Sequence, residues 1–95
     1  MDPSDRDRKK AWKDQQKQAA QLAFPASNDV LQSLFESVEA EVETQGCDHS
    51  LRFTREWITS NNQPKDKLLA WLAEHGGYCD CEVVANSFDH WQQNR

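Results

Sequence analysis

The sequence has no long hydrophobic run, and this excludes a membrane-spanning helix. Only 37% of its 95 residues are hydrophobic, and the mean hydropathy is −0.95. A transmembrane helix needs about 20 consecutive apolar residues, and no stretch approaches that length. The first eight residues, Met-Asp-Pro-Ser-Asp-Arg-Asp-Arg, also lack the apolar region of a secretory signal. We therefore expect a small soluble protein of the cytoplasm.

Cysteine is scarce, and its odd number excludes a complete set of intramolecular disulfides. The chain has three cysteines, Cys47, Cys79 and Cys81, and an odd count leaves at least one thiol unpaired. One residue separates Cys79 from Cys81, so a disulfide between these two would be strained. A reducing compartment also disfavours disulfides. Free thiols or metal-bound thiolates are therefore the expected states.

Basic charge is rare outside the N-terminal segment. Residues 1–18 carry six cations and four acids, for a net charge of +2 within a chain of net charge −5. The other 77 residues carry five cations and twelve acids, or −7. An acidic body repels phosphate backbones, which disfavours nucleic-acid binding by most of the chain. The basic residues within 6–17 are the candidate for RNA or DNA contact, although a solvated helix face is the simpler interpretation.

The spacing of apolar residues predicts a mainly α fold. The clearest amphipathic pattern lies within residues 28–45 and recurs at i, i+3, i+4, i+7 and i+11, at Leu31, Leu34, Phe35, Val38 and Val42. Residues 51–60 and 64–75 are predicted to form a helical hairpin. Residues 82–92 are predicted to form a short last helix, and a brief strand at 82–85 is the alternative because two adjacent valines suit β structure.

The N-terminal segment differs in composition from the rest of the chain. A polar helix is predicted over residues 5–22, and Pro25 ends it because the residue before a proline is pushed out of the helical region. We expect residues 1–24 to be a polar basic helix or a partly disordered leader. Residues 25–95 are then one small helical domain.

Two short motifs supply a set of metal-binding side chains. Cys47-x-His49 and Cys79-x-Cys81 together provide three thiols and one imidazole, the Cys₃His set that zinc takes in closed structural sites. The 29 residues between His49 and Cys79 hold the predicted hairpin, which returns the chain to the place where it left. Both pairs should therefore lie at the same end of the hairpin.

The one-residue spacing within each pair requires turns. In a strand, residues i and i+2 lie about 6.5 Å apart on one face, and in a helix they lie about 200° apart around the axis. Neither arrangement chelates one ion easily. Gly46 before the first pair and Gly76-Gly77 before the second provide the backbone freedom for turns. Zinc is the expected ion; copper(I) is an alternative, and an iron–sulfur site would more often show four cysteines.

Other polar residues near the pairs have two interpretations each. His75 and His90 are alternatives to His49 as the nitrogen ligand, but a helix-end or core histidine and a surface histidine are the simpler interpretations. Asp48 and Asp80 lie between the ligands of each pair. They could orient His49 or neighbouring amides around a metal, but turn or helix-capping chemistry is the simpler interpretation.

Two strings of residues carry a resemblance to a known family. Gly46-Cys47-Asp48-His49-Ser50-Leu51-Arg52, followed by Trp57 and by Gly76-Gly77-Tyr78-Cys79-Asp80-Cys81-Glu82-Val83, resembles a bacterial family catalogued as domain of unknown function 2695. The likeness covers about residues 25–90. It implies a cytoplasmic bacterial protein whose defining feature is the two ligand pairs, and it implies no activity.

These observations predict a small zinc-binding domain with a structural metal site, acting as a protein-interaction or accessory module. A thiol or zinc redox or metal sensor is one alternative, because zinc thiolates can be oxidised. A metal-dependent hydrolase is another, but a catalytic zinc keeps one position open for water, and here four ligands are available. We also expect that the protein is not an enzyme, because the sequence has no Gly-rich phosphate loop and no Gly-x-Ser-x-Gly elbow. Nucleic-acid binding through residues 6–17 is the last alternative.

Overall fold

Helices account for all the regular structure in the part of the chain that the structure describes. In this computed structural model the description covers the backbone of residues 3–95 and the side chains of residues 12–95. The elements follow in the order α1 (Pro3–Leu22), α2 (Asn28–Gln45), α3 (Arg52–Ser60), α4 (Lys65–Glu74), α5 (Asp80–Glu82), a π-helical turn (Val83–Ser87) and α6 (Phe88–Asn94). Residues 3–95 contain no strand. The predicted mainly α fold is confirmed.

Helix α2 forms where the amphipathic pattern predicts it. Ser27 caps its start, because the hydroxyl accepts a hydrogen bond from the Val30 N–H at 3.3 Å and satisfies one of the free N–H groups of the first turn. Gly46 ends the helix with a φ of +78°, a conformation that glycine adopts without steric cost. The apolar face of α2 is the centre of the core.

The core is one cluster to which every helix after α1 contributes except the short α5. Buried side chains of α2 pack against those of the α3–α4 hairpin and of the C-terminal segment. The buried members are Leu31, Leu34, Phe35, Val38, Ile58, Leu68, Trp71, Leu72, Val83 and Trp91. At roughly 1.5–3 kcal/mol for each fully buried large apolar side chain, this cluster is the main source of stability.

A tight turn ends α4 and directs the chain back toward the start of α3. Gly76 has a φ of +81°, and the Gly77 N–H donates to the Leu72 carbonyl at 2.7 Å, as in a Schellman motif. A β-carbon on Gly77 would lie 2.5 Å from the Ser87 Oγ. Only glycine fits at this position, and the close approach brings the end of α4 against the π-helical turn.

The strand considered for residues 82–85 is wrong. Val83 begins a π-helical turn that joins α5 to α6, and its N–H donates to the Cys79 carbonyl at 2.9 Å. The turn directs Val83 and Ser87 into the interior, where both are fully buried. The Ser87 hydroxyl donates to the Leu72 carbonyl at 3.0 Å. Burial against α4 therefore outweighs the β preference of the adjacent valines.

Helix α1 contacts the rest of the fold near its C-terminal end. The Gln21 side chain donates to the carbonyls of Asn94 and Arg95 at 2.9 and 3.1 Å, whereas the side chains of residues 12–19 are exposed. The basic side chains of the predicted nucleic-acid segment up to residue 10 lie outside the described residues. The division of the chain after residue 24 stays a prediction. No helix in the described part is long and apolar enough to cross a membrane.

Candidate metal centre

The two predicted ligand pairs meet at one place in the structure. The sulfur of Cys47 accepts a hydrogen bond from the backbone N–H of Cys81 at 3.4 Å, although 34 positions separate the two residues. The same sulfur accepts the N–H of His49, also at 3.4 Å. The α3–α4 hairpin lies between the pairs in sequence, so the geometric expectation is met. The metal-binding role of these residues stays a prediction.

The first pair lies in a turn that the sequence favours locally. After Gly46, His49 adopts a φ of +67°, and the Asp48 carboxylate accepts the Ser50 N–H at 3.0 Å and the Ser50 hydroxyl. These hydrogen bonds to the charged form, mainly from Ser50, hold the pKa of Asp48 below its usual range. Asp48 is therefore a turn residue, as the simpler interpretation predicts.

The second pair is held by a buried carboxylate. Asp80 has no solvent exposure, and its two oxygens accept the backbone N–H groups of Phe53 and Thr54 at 3.0 Å each. The Thr54 hydroxyl donates to it at 2.7 Å, and the Asp80 N–H donates to the Ser50 carbonyl at 2.9 Å. Asp80 thus caps α3 from outside that helix, which confirms the capping interpretation.

Other groups complete the first turn of α3. The Arg52 N–H donates to the Ser50 hydroxyl at 3.3 Å, and the Arg55 N–H makes the first bond within the helix, to the Leu51 carbonyl at 2.8 Å. With the two N–H groups that Asp80 accepts, the free donors of the first three helical residues are satisfied. Because Asp80 lies between Cys79 and Cys81, this cap holds the second thiol turn against the first.

The three thiols differ in how readily they ionise. Burial raises the pKa of the Cys47 thiol, but hydrogen bonds from the N–H groups of Cys81 and His49, followed by those with the thiols of Cys81 and Cys79, together lower it by more. This pKa therefore lies below that of an ordinary cysteine. Burial is the main cause that raises the pKa of Cys79. The hydrogen bond with Cys47, followed by desolvation and by nearby negative charge, raises the pKa of Cys81 to about 11. Cys47 is therefore the first thiol to lose its proton.

Glu82 belongs to this site, although it was not among the residues predicted for it. The Cys79 thiol donates to the Glu82 carboxylate at 3.5 Å. Cys79 is the residue before α5, and Glu82 follows it three positions later, which is the spacing of a capping box. That spacing is the signal that could have identified Glu82.

The histidines lie in two different places. His49 is exposed beside Cys47, whereas His75 and His90 stack on one another with ring centroids 3.6 Å apart, next to Trp71. Burial, followed by the charge of His75, lowers the pKa of His90. Within residues 12–95, no three histidine, cysteine, aspartate or glutamate side chains have an arrangement that could hold a metal ion. The cysteines are free thiols.

Comparisons with known proteins identify a family and several relatives. A family described as "Protein of unknown function (DUF2695)" matches residues 34–86, a range that contains both ligand pairs. Uncharacterized protein Rv2271 of Mycobacterium tuberculosis is 35% identical over 88 residues, which cover 88% of this chain and 89% of the relative. Uncharacterized protein Mb2294 of Mycobacterium bovis has the same identity and coverage. No solved structure matches the chain.

Proposed function

Because the chain belongs to the family Protein of unknown function (DUF2695), we propose for it a function centred on the site that the family match contains. The chain is a small zinc-binding domain whose ion is structural. Its ligands are the sulfurs of Cys47, Cys79 and Cys81 and the imidazole of His49. The observation that carries this proposal is the 3.4 Å contact between the Cys47 sulfur and the Cys81 N–H, which juxtaposes two turns that are distant in sequence.

The chemistry of the three thiols supports a divalent cation. Ionising a second thiol beside the first places two negative charges together, and this opposes deprotonation. A dication removes that opposition, because coordinated thiols are bound as thiolates. The N–H groups of His49 and Cys81 that point at the Cys47 sulfur are the kind of second-sphere donor that supports a thiolate ligand.

To bind the ion, the side chains of the four ligands must rearrange, but the backbones of the two turns are already held close together. The Asp80 cap fixes the second turn to the start of α3, and the Cys47 sulfur joins the first turn to Cys81. On binding zinc, the Cys79 thiol loses its proton and with it the hydrogen bond to Glu82. Glu82 is then the competing oxygen donor for the position that we assign to His49.

A four-ligand site supports an accessory or interaction module of the cytoplasm. Three sulfurs and one nitrogen close the coordination sphere of zinc, so no position remains for a substrate or a reactive water. The ion would join the end of α2, the start of α3 and the start of α5. We therefore propose that the protein is not an enzyme and that zinc adds stability to the fold.

Cobalt substitution tests the ligand set directly. Metal-free protein is titrated with Co²⁺ under reducing conditions, and zinc is then added to displace the cobalt. We expect one equivalent of cobalt, thiolate-to-cobalt charge-transfer bands in the ultraviolet and the intense visible bands of a tetrahedral site. Serine at Cys47, Cys79 or Cys81 should weaken the charge-transfer bands.

Three substitutions identify the fourth ligand. His49→Ala should shift the visible bands, whereas Glu82→Gln and His90→Ala should leave them unchanged. If Glu82→Gln shifted the bands and His49→Ala did not, the fourth ligand would be the Glu82 carboxylate, and the closed Cys₃His site would be contradicted. A wild-type protein that takes up less than one equivalent of cobalt and shows no charge-transfer band would overturn the proposal as a whole.

A further inference from the structure

Along residues 12–19, helix α1 has a surface that no other described part of the chain covers. Every side chain in this stretch is exposed, including Trp12, of which 59% is accessible. Leu22, at the end of the helix, is 89% exposed. In proteins most of the stability of a helix comes from packing one of its faces against other parts of the structure. A helix that presents a tryptophan without burying it therefore suits a surface on another molecule.

A groove of suitable chemistry lies between α2 and α3. It has a volume of about 500 Å³, and its lining includes the half-buried Trp57 and the edge of Phe53. Glu41 lies on the α2 side and Glu56 on the α3 side. The groove also contains one cation, Arg52, whose guanidinium lies 4.4 Å from the centre of the Phe53 ring. An aromatic side chain with cations beside it would match this lining.

The charges of the chain are distributed to match this pairing. Residues 1–18 carry +2 and the remainder carries −7. Lys13 and Lys17 recur at i and i+4, the spacing of one helix face. A nucleic acid would meet only the basic helix and would be repelled by the acidic body. In a pair of copies, by contrast, the basic helix of one copy can contact the acidic groove of the other.

We propose that two copies of the chain associate by exchanging their α1 helices. Trp12 of each copy packs against Trp57 in the α2–α3 groove of the other. Lys13 and Lys17 lie about 100° and 140° around the helix axis from Trp12, on one side of it, and reach from there to the acidic side chains at the rim of that groove, Glu41 and Glu56. The arrangement is symmetric, so both copies use the same two surfaces and the assembly closes as a dimer. The thiol site has no part in it.

Sedimentation velocity on the full chain, from low micromolar to submillimolar concentration, tests the association. We expect a monomer–dimer equilibrium that weakens as salt is added, because the paired charges are exposed to solvent. Trp12→Ala should raise the dissociation constant by at least about tenfold, since buried aromatic anchors dominate small interfaces. Lys13→Ala and Lys17→Ala together should raise it less.

Charge exchange gives the decisive comparison. The variant with Lys13→Glu and Lys17→Glu, and the variant with Glu41→Lys and Glu56→Lys, should each be monomeric alone. Mixed, they should form a one-to-one dimer, because each helix then meets a groove of opposite charge in the other variant. Thermal unfolding of each variant alone checks that its fold is intact.

Three results would overturn the proposal. One is a wild-type chain that stays monomeric at every concentration. Another is a dimer that persists unchanged in Trp12→Ala and in both charge-reversed variants. The third is a monomer that binds a labelled oligonucleotide and loses it on Lys13→Glu and Lys17→Glu, which would assign α1 to nucleic acid instead.

Discussion

The buried carboxylate of Asp80 allows a quantitative prediction about stability. It has no solvent exposure and accepts three hydrogen bonds, from the N–H groups of Phe53 and Thr54 and from the Thr54 hydroxyl. Asp80→Asn keeps the shape of the side chain but removes the charge. It also replaces one acceptor oxygen by an NH₂ group, which must face a backbone donor.

The expected loss follows from three contributions. A hydrogen bond to a charged acceptor contributes roughly 1.5–3 kcal/mol, and a buried donor left without an acceptor costs about 1–3 kcal/mol. A negative charge at a helix N-terminus contributes about 0.3–1 kcal/mol. These contributions overlap, so we expect the free energy of unfolding to fall by about 3 kcal/mol. For a domain of this size that corresponds to a fall in Tm of roughly 12–24 °C.

Urea unfolding of metal-free protein, followed by far-ultraviolet circular dichroism, measures this loss. Asp48→Asn is the matched control, because Asp48 holds the same position in the first Cys-Asp motif but is exposed and bonds only to Ser50. We expect that control to unfold close to wild type. If Asp80→Asn were no more destabilising than Asp48→Asn, the assignment of Asp80 as the cap of α3 would be refuted.

Three further predictions concern other parts of the fold. Gly77→Ala should lower the Tm in thermal unfolding, because its β-carbon would lie 2.5 Å from the Ser87 Oγ, and adding Ser87→Ala should recover part of the loss. If the double variant lost as much stability as the two single variants together, the clash would be contradicted. His90, whose pKa is lowered by burial and then by the charge of the histidine stacked on it, binds more protons unfolded than folded at mildly acidic pH. Stability should therefore fall as the pH drops from 7 toward 5.5, and His90→Gln should flatten that dependence in urea titrations; an unchanged slope would exclude His90 as its source. Trp91→Phe should lower the free energy of unfolding by more than Trp71→Phe does. The Trp91 indole N–H donates to an asparagine at 3.1 Å, whereas the Trp71 indole N–H has no partner within the described part of the chain. The reverse order in urea unfolding would contradict this reasoning.

Local patterns were sufficient for the helices that have strong sequence signals. The periodicity over residues 28–45 predicts α2 with the bounds that the structure has, Asn28–Gln45. Its cap at Ser27 and its end at Gly46 are properties of single residues and their immediate neighbours. The hairpin followed from the same kind of pattern, and with it the expectation that Cys47 and Cys81 lie at one end of the fold.

Local patterns failed where packing decides between two local preferences. Val83 and Val84 suit a strand as well as a helix, and the π-helical turn forms because it buries Val83 and Ser87 against the end of α4. The sequence likewise left His90 open as a metal ligand. In the structure it stacks on His75 beside Trp71, which depends on how α4 and α6 approach each other.

The sequence by itself determined the helical class, the limits of α2 and the two turns that carry the thiols, because backbone preferences and side-chain periodicity act over a few residues. Only the tertiary structure decided that Asp80 caps α3 and that the Cys81 N–H lies 3.4 Å from the Cys47 sulfur. The partner of a buried polar group is chosen by the packing of whole helices, and contacts across 26–34 positions have no local signature.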